Sequence, residues 1–423
     1  MARRKSLRLI VLASALASVC VVIGIAQASL EAPAAFTTPD FNNQQGAVSN
    51  GMTDNTTFAA DEAVFMEVDD ISNGLGPVFN ARSCSDCHNS PNIGASSQVT
   101  EMCVGHRDGR GNFVNPTIPI NDGANSIPTR SLVNDRSICV EAAERVPSTE
   151  GIHALRATTN TLGDGFVEAI DSNTLLAISQ NQPRQSGGRI AGEFIQVPLS
   201  EAPGQLRAGR FGWKNQQASL LSFAADAYVN EQGITSRLQP TDTTSVCKTT
   251  TDPEDHEGSD GLADIDHFAR FMRASQAPPR DATLAVTSDA IAGANLFHSV
   301  GCDICHVSSM TTAPAGTAIN GGAFTVPPAL GSKTIHPYSD FLLHNIGTGD
   351  GIVQNGPADT ANKLRTSPLW GLRAKSRLMH DLLSMTRNDA ILRHDGEAAG
   401  VTSKYRALTQ SQKNQIITFL NSL

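Results

Sequence analysis

Aromatic side chains are scarce: two Trp, three Tyr and 16 Phe make up 5% of 423 residues, beside 35 Gly and 21 Pro. That balance argues against long helices around an aromatic core and predicts short helices joined by many long loops. Basic charge is also in deficit, with 32 Lys and Arg against 41 Asp and Glu. Nucleic acid and anionic membrane surfaces are therefore poor partners. The acidic loop TDPEDHEGSDGLADIDH could offer oxygens to calcium, but it lacks an EF-hand pattern and reads as a solvated segment. Calcium stays an unsupported option. No thioredoxin-like βαβ unit is present, and nothing near Cys103, Cys139 or Cys247 would activate a thiol.

What is present starts with MARRKSLRLIVLASALASVCVVIGIAQAS, a basic stretch, an apolar run and the small-x-small site Ala26-Gln27-Ala28. Residues 1–28 read as a signal peptide, with a single membrane anchor as the competing reading. Arg3 and Arg4 suggest a twin-arginine signal, but Ser6 and Leu7 follow where a stronger apolar pair is expected, which favours the general secretion route. After cleavage the chain would carry 28 basic and 41 acidic residues, a net charge of −13, and would be periplasmic or secreted without membrane insertion. Roughly 395 residues suffice for two or three compact domains.

Residues 29–60 lack an apolar period and read as a surface arm. A first haem domain is expected over 61–277, with a loop-rich insertion at 90–165, and a C-terminal cytochrome c domain over 281–423. Between them SQAPPRDAT, with its Pro-Pro pair, marks the boundary. Apolar spacing of three and four predicts helices over 215–230, 262–274 and 287–297, and a Thr-capped closing helix carries Ile416, Ile417, Phe419 and Leu420. The fold class expected is mainly α, built from two cytochrome c-like haem domains with long loops.

That expectation rests on two motifs, Cys84-Ser-Asp-Cys87-His88 and Cys302-Asp-Ile-Cys305-His306. C-x-x-C-H brings two thiols to the two vinyl groups of a haem and sets an imidazole directly after the second thiol, on the iron. The pattern predicts two covalently bound haems c, which would also supply much of the missing apolar bulk. The bland alternative, a zinc site of four Cys, leaves the two histidines at identical offsets unexplained. Of the remaining cysteines, Cys103 and Cys139 are expected to pair, leaving Cys247 unpaired. Each iron has a second axial position, for which nine further His and Met102, Met272, Met310, Met379 and Met385 are candidates that the residues alone do not choose between.

The stretches GLGPVFNARSCSDCH, GDGFVEAI, RAGRFGWK, NEQGITS, GCDICH, LRTSPLWGLR, LMHD and AILRHDGEA stand in this order. Together they resemble the bacterial di-haem "thiol oxidoreductase" family of di-haem peroxidase-like proteins. That group is related to di-haem cytochrome c peroxidases and to the di-haem enzymes that mature tryptophan tryptophylquinone. The likeness runs from about residue 61 to the C-terminus and is weakest over 90–150. It implies that His88 carries a reactive iron and His306 an electron-transfer iron. It also implies that His394 of AILRHDGEA is the sixth ligand of the second haem, with Met379 and His380 as bland alternatives. By the same likeness Trp213 lies between the haems, and Glu231 lies over the reactive iron as an acid/base, where the bland reading is a solvated helix end. One departure is Phe223, which stands where the peroxidases carry Gln.

Two classes of function follow. One is a periplasmic di-haem oxidoreductase fed by a small redox protein or small-molecule donor. The other is a plain di-haem electron carrier without substrate chemistry. The oligomeric state is not encoded in any motif.

Overall fold

The computed structural model describes residues 30–36 and 48–423. The expected signal peptide lies outside them, as do residues 29 and 37–47 of the expected arm. Among the described residues no helix is long and apolar enough to cross a membrane.

Helices form where the sequence supplies caps. The Asn55–Phe65 helix begins at Asp54, whose carboxylate accepts from the Thr56 and Thr57 N–H at 2.9 Å. Ser288–Val300 is capped by Thr287 and stopped by Gly301 at φ 101, a left-handed position that a side chain would strain. Thr409 and Gln412 form a reciprocal capping box for the closing helix Gln410–Asn421. This last helix lies against Ser288–Val300 so closely that a Cβ on Gly293 would stand 2.0 Å from the Gln415 carbonyl oxygen. Phe297, Val300, Tyr405, Ile416, Phe419 and Leu420 fill the core between these helices.

A larger core gathers Phe58, Phe65, Phe166, Phe268 and Phe271 around the Asp264–Ala274 helix. Met310, Leu330, Phe341 and Trp370, all beyond the Pro-Pro segment, pack into the same cluster. Phe65 stacks obliquely on Phe271 at 4.8 Å and meets Phe268 edge-on at 6.0 Å, so the few aromatics are concentrated here.

The mainly α expectation is overturned. Among the described residues 33% are helical and 16% lie in strands, spread over many small sheets. The largest lies in the segment expected to be loop-rich: Thr100–Arg107 pairs antiparallel with Ile152–Ala157, from Thr100 opposite Ala157 to Gly105 opposite Ile152. Phe113–Val114 and Leu132–Val133 also pair with the first of these strands. Short strands with Gly and polar residues show no clean alternation, and their partners are distant in sequence, so local periodicity hides them.

Two smaller expectations are also corrected. The 215–230 helix starts only at Leu220, because Asn215 adopts φ 53 and the chain turns back there, with Gln217 opposite Phe211. Cys139 pairs with Cys247, not with Cys103, which is buried inside the Thr100–Arg107 strand and free. Spacing along the chain carried no information about that partner.

Candidate functional site

The first motif is a single helical turn. Ser83 caps it by accepting from the Ser85 N–H at 3.0 Å, and the His88 N–H closes it on the Cys84 carbonyl at 3.0 Å. Cys84 and Cys87 thus lie on one turn, with the His88 ring turned toward Phe65 at 6.1 Å. All three motif residues line a cavity of about 660 Å³. Burial pushes the Cys87 thiol up to about 12 and the His88 imidazole down to about 4, the Thr159 backbone opposing the latter. A neutral, buried imidazole keeps a lone pair for a metal, and Nδ1 of His88 has no hydrogen-bond partner among the described residues.

Glu231 lines the same cavity. The Leu220–Ala227 helix passes into a π turn, Tyr228–Gln232, which ends at Gly233 and carries Glu231. The turn is tied to the first motif from both sides. Asn80 donates through Nδ2 to Oε2 of Glu231 at 2.9 Å, the Asn80 N–H donates to its carbonyl at 2.7 Å, and Gln232 donates to the Cys84 sulfur at 3.6 Å. Burial, and after it the neighbouring Glu101 carboxyl, push Glu231 well above the ordinary carboxylate range. The Glu101 and Glu231 carboxyls are within hydrogen-bond reach of each other. Glu101 belongs to the Thr100–Arg107 strand, and with that strand read as loop nothing local in the sequence pointed to it. Phe223 also lines this cavity and stacks on Phe211 at 6.2 Å.

The second motif follows Gly301 directly, with the His306 N–H on the Cys302 carbonyl at 3.0 Å. Cys302, Cys305, His306 and His394 line a second cavity of about 240 Å³, together with Met379 and His380. The rings of His306 and His394 face one another with centroids 6.4 Å apart and planes at 58°. His306 Nδ1 lies 2.9 Å from the Tyr338 carbonyl and His394 Nδ1 lies 2.7 Å from the Ala390 carbonyl. A carbonyl only accepts, so each Nδ1 carries the proton and each Nε2 keeps its lone pair. Burial holds both imidazoles below their ordinary value, His306 at about 4, which favours their neutral form.

Trp213 lines both cavities, as do Ala157 and Thr158. Its indole Nε1 donates to the Ala157 carbonyl at 2.7 Å, and its ring meets His380 edge-on at 6.0 Å. Behind it a buried charge cluster joins Lys214 and Arg156 to Asp350 at 3.3 and 2.8 Å. The acidic loop brings Asp252 and Glu254 to Asp242, but all three carboxylates ion-pair with Lys248. That ammonium already supplies the cation a calcium ion would provide.

The donor sets fit haem. Each cavity presents two thiols on one turn and a neutral imidazole after them, and the second adds a facing imidazole. His88, His306, His394 and the four cysteines would hold the two groups.

A family model described as "Di-haem oxidoreductase, putative peroxidase" matches residues 144–423. No curated protein matches the chain. Among solved structures, hydrazine synthase of Kuenenia stuttgartiensis is similar at 13% identity and TM-score 0.40, over 94% of this chain and 98% of that one. A MauG-like protein associated with microbial copper homeostasis is similar at 14% identity and TM-score 0.39, over 92% and 93%.

Proposed function

The chain belongs to the di-haem oxidoreductase family, and from that premise we propose an exported c-type member in which electrons pass from the C-terminal haem to a peroxidase-like haem on His88. Its haems are taken as covalently attached through Cys84, Cys87, Cys302 and Cys305. The chain is taken as periplasmic or secreted, divided into units at 61–277 and 281–423, and supplied by a small redox protein or small-molecule donor. Bound haem supplies the one-electron steps and an iron site for an oxygen ligand.

One observation carries this reading, an asymmetry between the two cavities. The second is closed by two imidazoles 6.4 Å apart, an arrangement for holding and passing electrons. The first is larger and, among the described residues, has on its wall a buried carboxyl of raised proton affinity, Glu231, instead of a second His. At that wall Glu231 would take a proton from the near oxygen of a peroxide and return it to the departing oxygen, with Asn80 fixing one carboxyl oxygen. Phe223 gives the wall an apolar patch where related peroxidases carry an amide, so slow turnover is expected.

The test is stopped-flow mixing of half-reduced protein with peroxide. A spectral change at one haem that Glu231→Gln suppresses supports the proposal. A protein spectrally silent toward peroxide, carbon monoxide and cyanide would be a plain electron carrier. Two haems per chain in a haemochrome assay, falling to one in Cys302→Ala/Cys305→Ala, is the companion expectation for attachment.

A further inference from the structure

The cavity of His306 and His394 has a wall charged with one sign. Arg365, Lys375, Arg377 and Arg387 line it, and among the described residues no Asp or Glu does. Cations in such surroundings are costly unless an anion meets them. Three of these four fall short of one. Lys375, held down at about 8 by burial and then by Arg365, makes no hydrogen bond or ion pair through its ammonium among the described residues. Arg387 gives Nη2 to the Leu372 carbonyl at 3.0 Å, while its Nε is buried without a partner. Arg365 gives Nε to the Gly212 carbonyl at 2.8 Å, and its one carboxyl neighbour, Asp164, is not on the wall.

Two uncharged groups of the same wall are in the same condition. Nδ1 of His380 and Oγ1 of Thr348 are both buried and, among the described residues, without partners. Well-packed proteins leave few such atoms, and several on one wall point to a ligand rich in acceptor oxygens. The wall also carries Cys302, Cys305 and His306, so the group those residues would hold brings two carboxylates of its own. Arginine and lysine meet carboxylates with charge-assisted hydrogen bonds, arginine through a planar fork.

We propose that Lys375 and Arg387, supported by Arg365, form the receptor for the two propionates of the C-terminal haem, with His380 and Thr348 completing its hydrogen bonds. This rests on the family-level reading that a haem occupies the cavity, and not on peroxide chemistry at the other one. Adding an electron makes the haem one unit more negative, which a nearby cation favours. Removing the cation therefore lowers the potential.

The experiment is a spectroelectrochemical titration of the full-length holoprotein and of Lys375→Met and Arg387→Met. At a fixed poise each variant should hold about tenfold less of the C-terminal haem reduced, a downward shift of about 59 mV for a one-electron couple. The low-spin spectrum and the potential of the N-terminal haem should stay in place. Curves superimposable on the wild type for both variants would overturn the proposal. If Lys375→Met fails to load haem, Lys375→Arg must restore both loading and potential, and its failure to do so would also overturn it. A wild-type potential that moves with inorganic phosphate at constant ionic strength, and no longer does so in Lys375→Met, would assign the wall to a soluble anion instead. A protein inert toward peroxide that still shows the shift would remove the peroxidase reading alone.

Discussion

Glu231 shows how one side chain is tuned by what surrounds it. Its carboxyl is buried, faces Glu101 and accepts a side-chain hydrogen bond from a neutral donor, Asn80. Burial and the facing carboxyl both disfavour the charge, so Glu231 holds its proton more tightly than an exposed glutamate and, once ionised, is the stronger base. A carboxyl with a raised folded pKa contributes its full share of stability below the unfolded value of about 4.5 and loses it as pH rises toward the folded value. Glu231→Gln, which stays neutral, should therefore gain on the wild type in thermal denaturation as pH increases above that point. A melting temperature of the variant minus that of the wild type that falls with rising pH would contradict the raised pKa. The same variant should slow the peroxide reaction about a hundredfold, the usual scale of lost acid/base help. Glu101→Gln separates the two roles: it removes the neighbour's influence, so Glu231 should titrate lower while the acid/base group itself remains. The motif cysteines and histidines were legible because five contiguous residues carry the whole signal. Glu101 and Lys375 were not, since each acquires meaning only from residues that folding brings to the same wall.

Elements differ in how far the sequence announces them. The helices Asp264–Ala274, Ser288–Val300 and Gln410–Asn421 are marked by apolar spacing and, at the last two, by a capping Thr, all within a dozen residues or so. The Ser172–Ser186 helix, with mixed polar residues and Pro183 inside, carries no such stripe and was not foreseen. Strands fared worst, because Thr100–Arg107 is stabilised by Ile152–Ala157 and Leu132–Val133 and not by anything local. The Cys139–Cys247 bridge spans 108 residues and links the strand-rich segment to the stretch after the π turn. Closing so long a loop constrains the unfolded chain, so Cys139→Ser/Cys247→Ser should cost about 2–5 kcal/mol in denaturant unfolding. At the helix pair, Gly293 is a packing requirement. Gly293→Ala must move the Gln415 carbonyl aside, and a loss of about 1–3 kcal/mol is expected from such overpacking. An unchanged denaturation midpoint in that variant would mean the two helices separate without cost.

At the scale of the molecule, the two cavities share a wall in which Trp213, Ala157 and Thr158 take part. The wall is stiff for identifiable reasons. The indole donates to the Ala157 carbonyl, the Arg365 N–H donates to the Trp213 carbonyl at 2.8 Å, and the adjacent Lys214 is anchored by Asp350 and three backbone carbonyls. His380 adds an edge-on contact from the side of the second cavity. A rigid aromatic in this place suits two different roles, a core residue or a relay between haems, and Trp213→Phe tells them apart. Phenylalanine keeps one aromatic ring but loses the rest of the indole and its Nε1 hydrogen bond, so either role predicts a stability loss of about 1–3 kcal/mol. Only the relay predicts more. With both haems still attached and the His306 and His394 pair intact, reoxidation of the C-terminal haem after peroxide mixing should slow, while the first spectral change at the N-terminal haem keeps its wild-type rate. Equal reoxidation rates in the two proteins, beside the expected drop in melting temperature, would leave Trp213 a packing residue and move the electron route elsewhere along the shared wall.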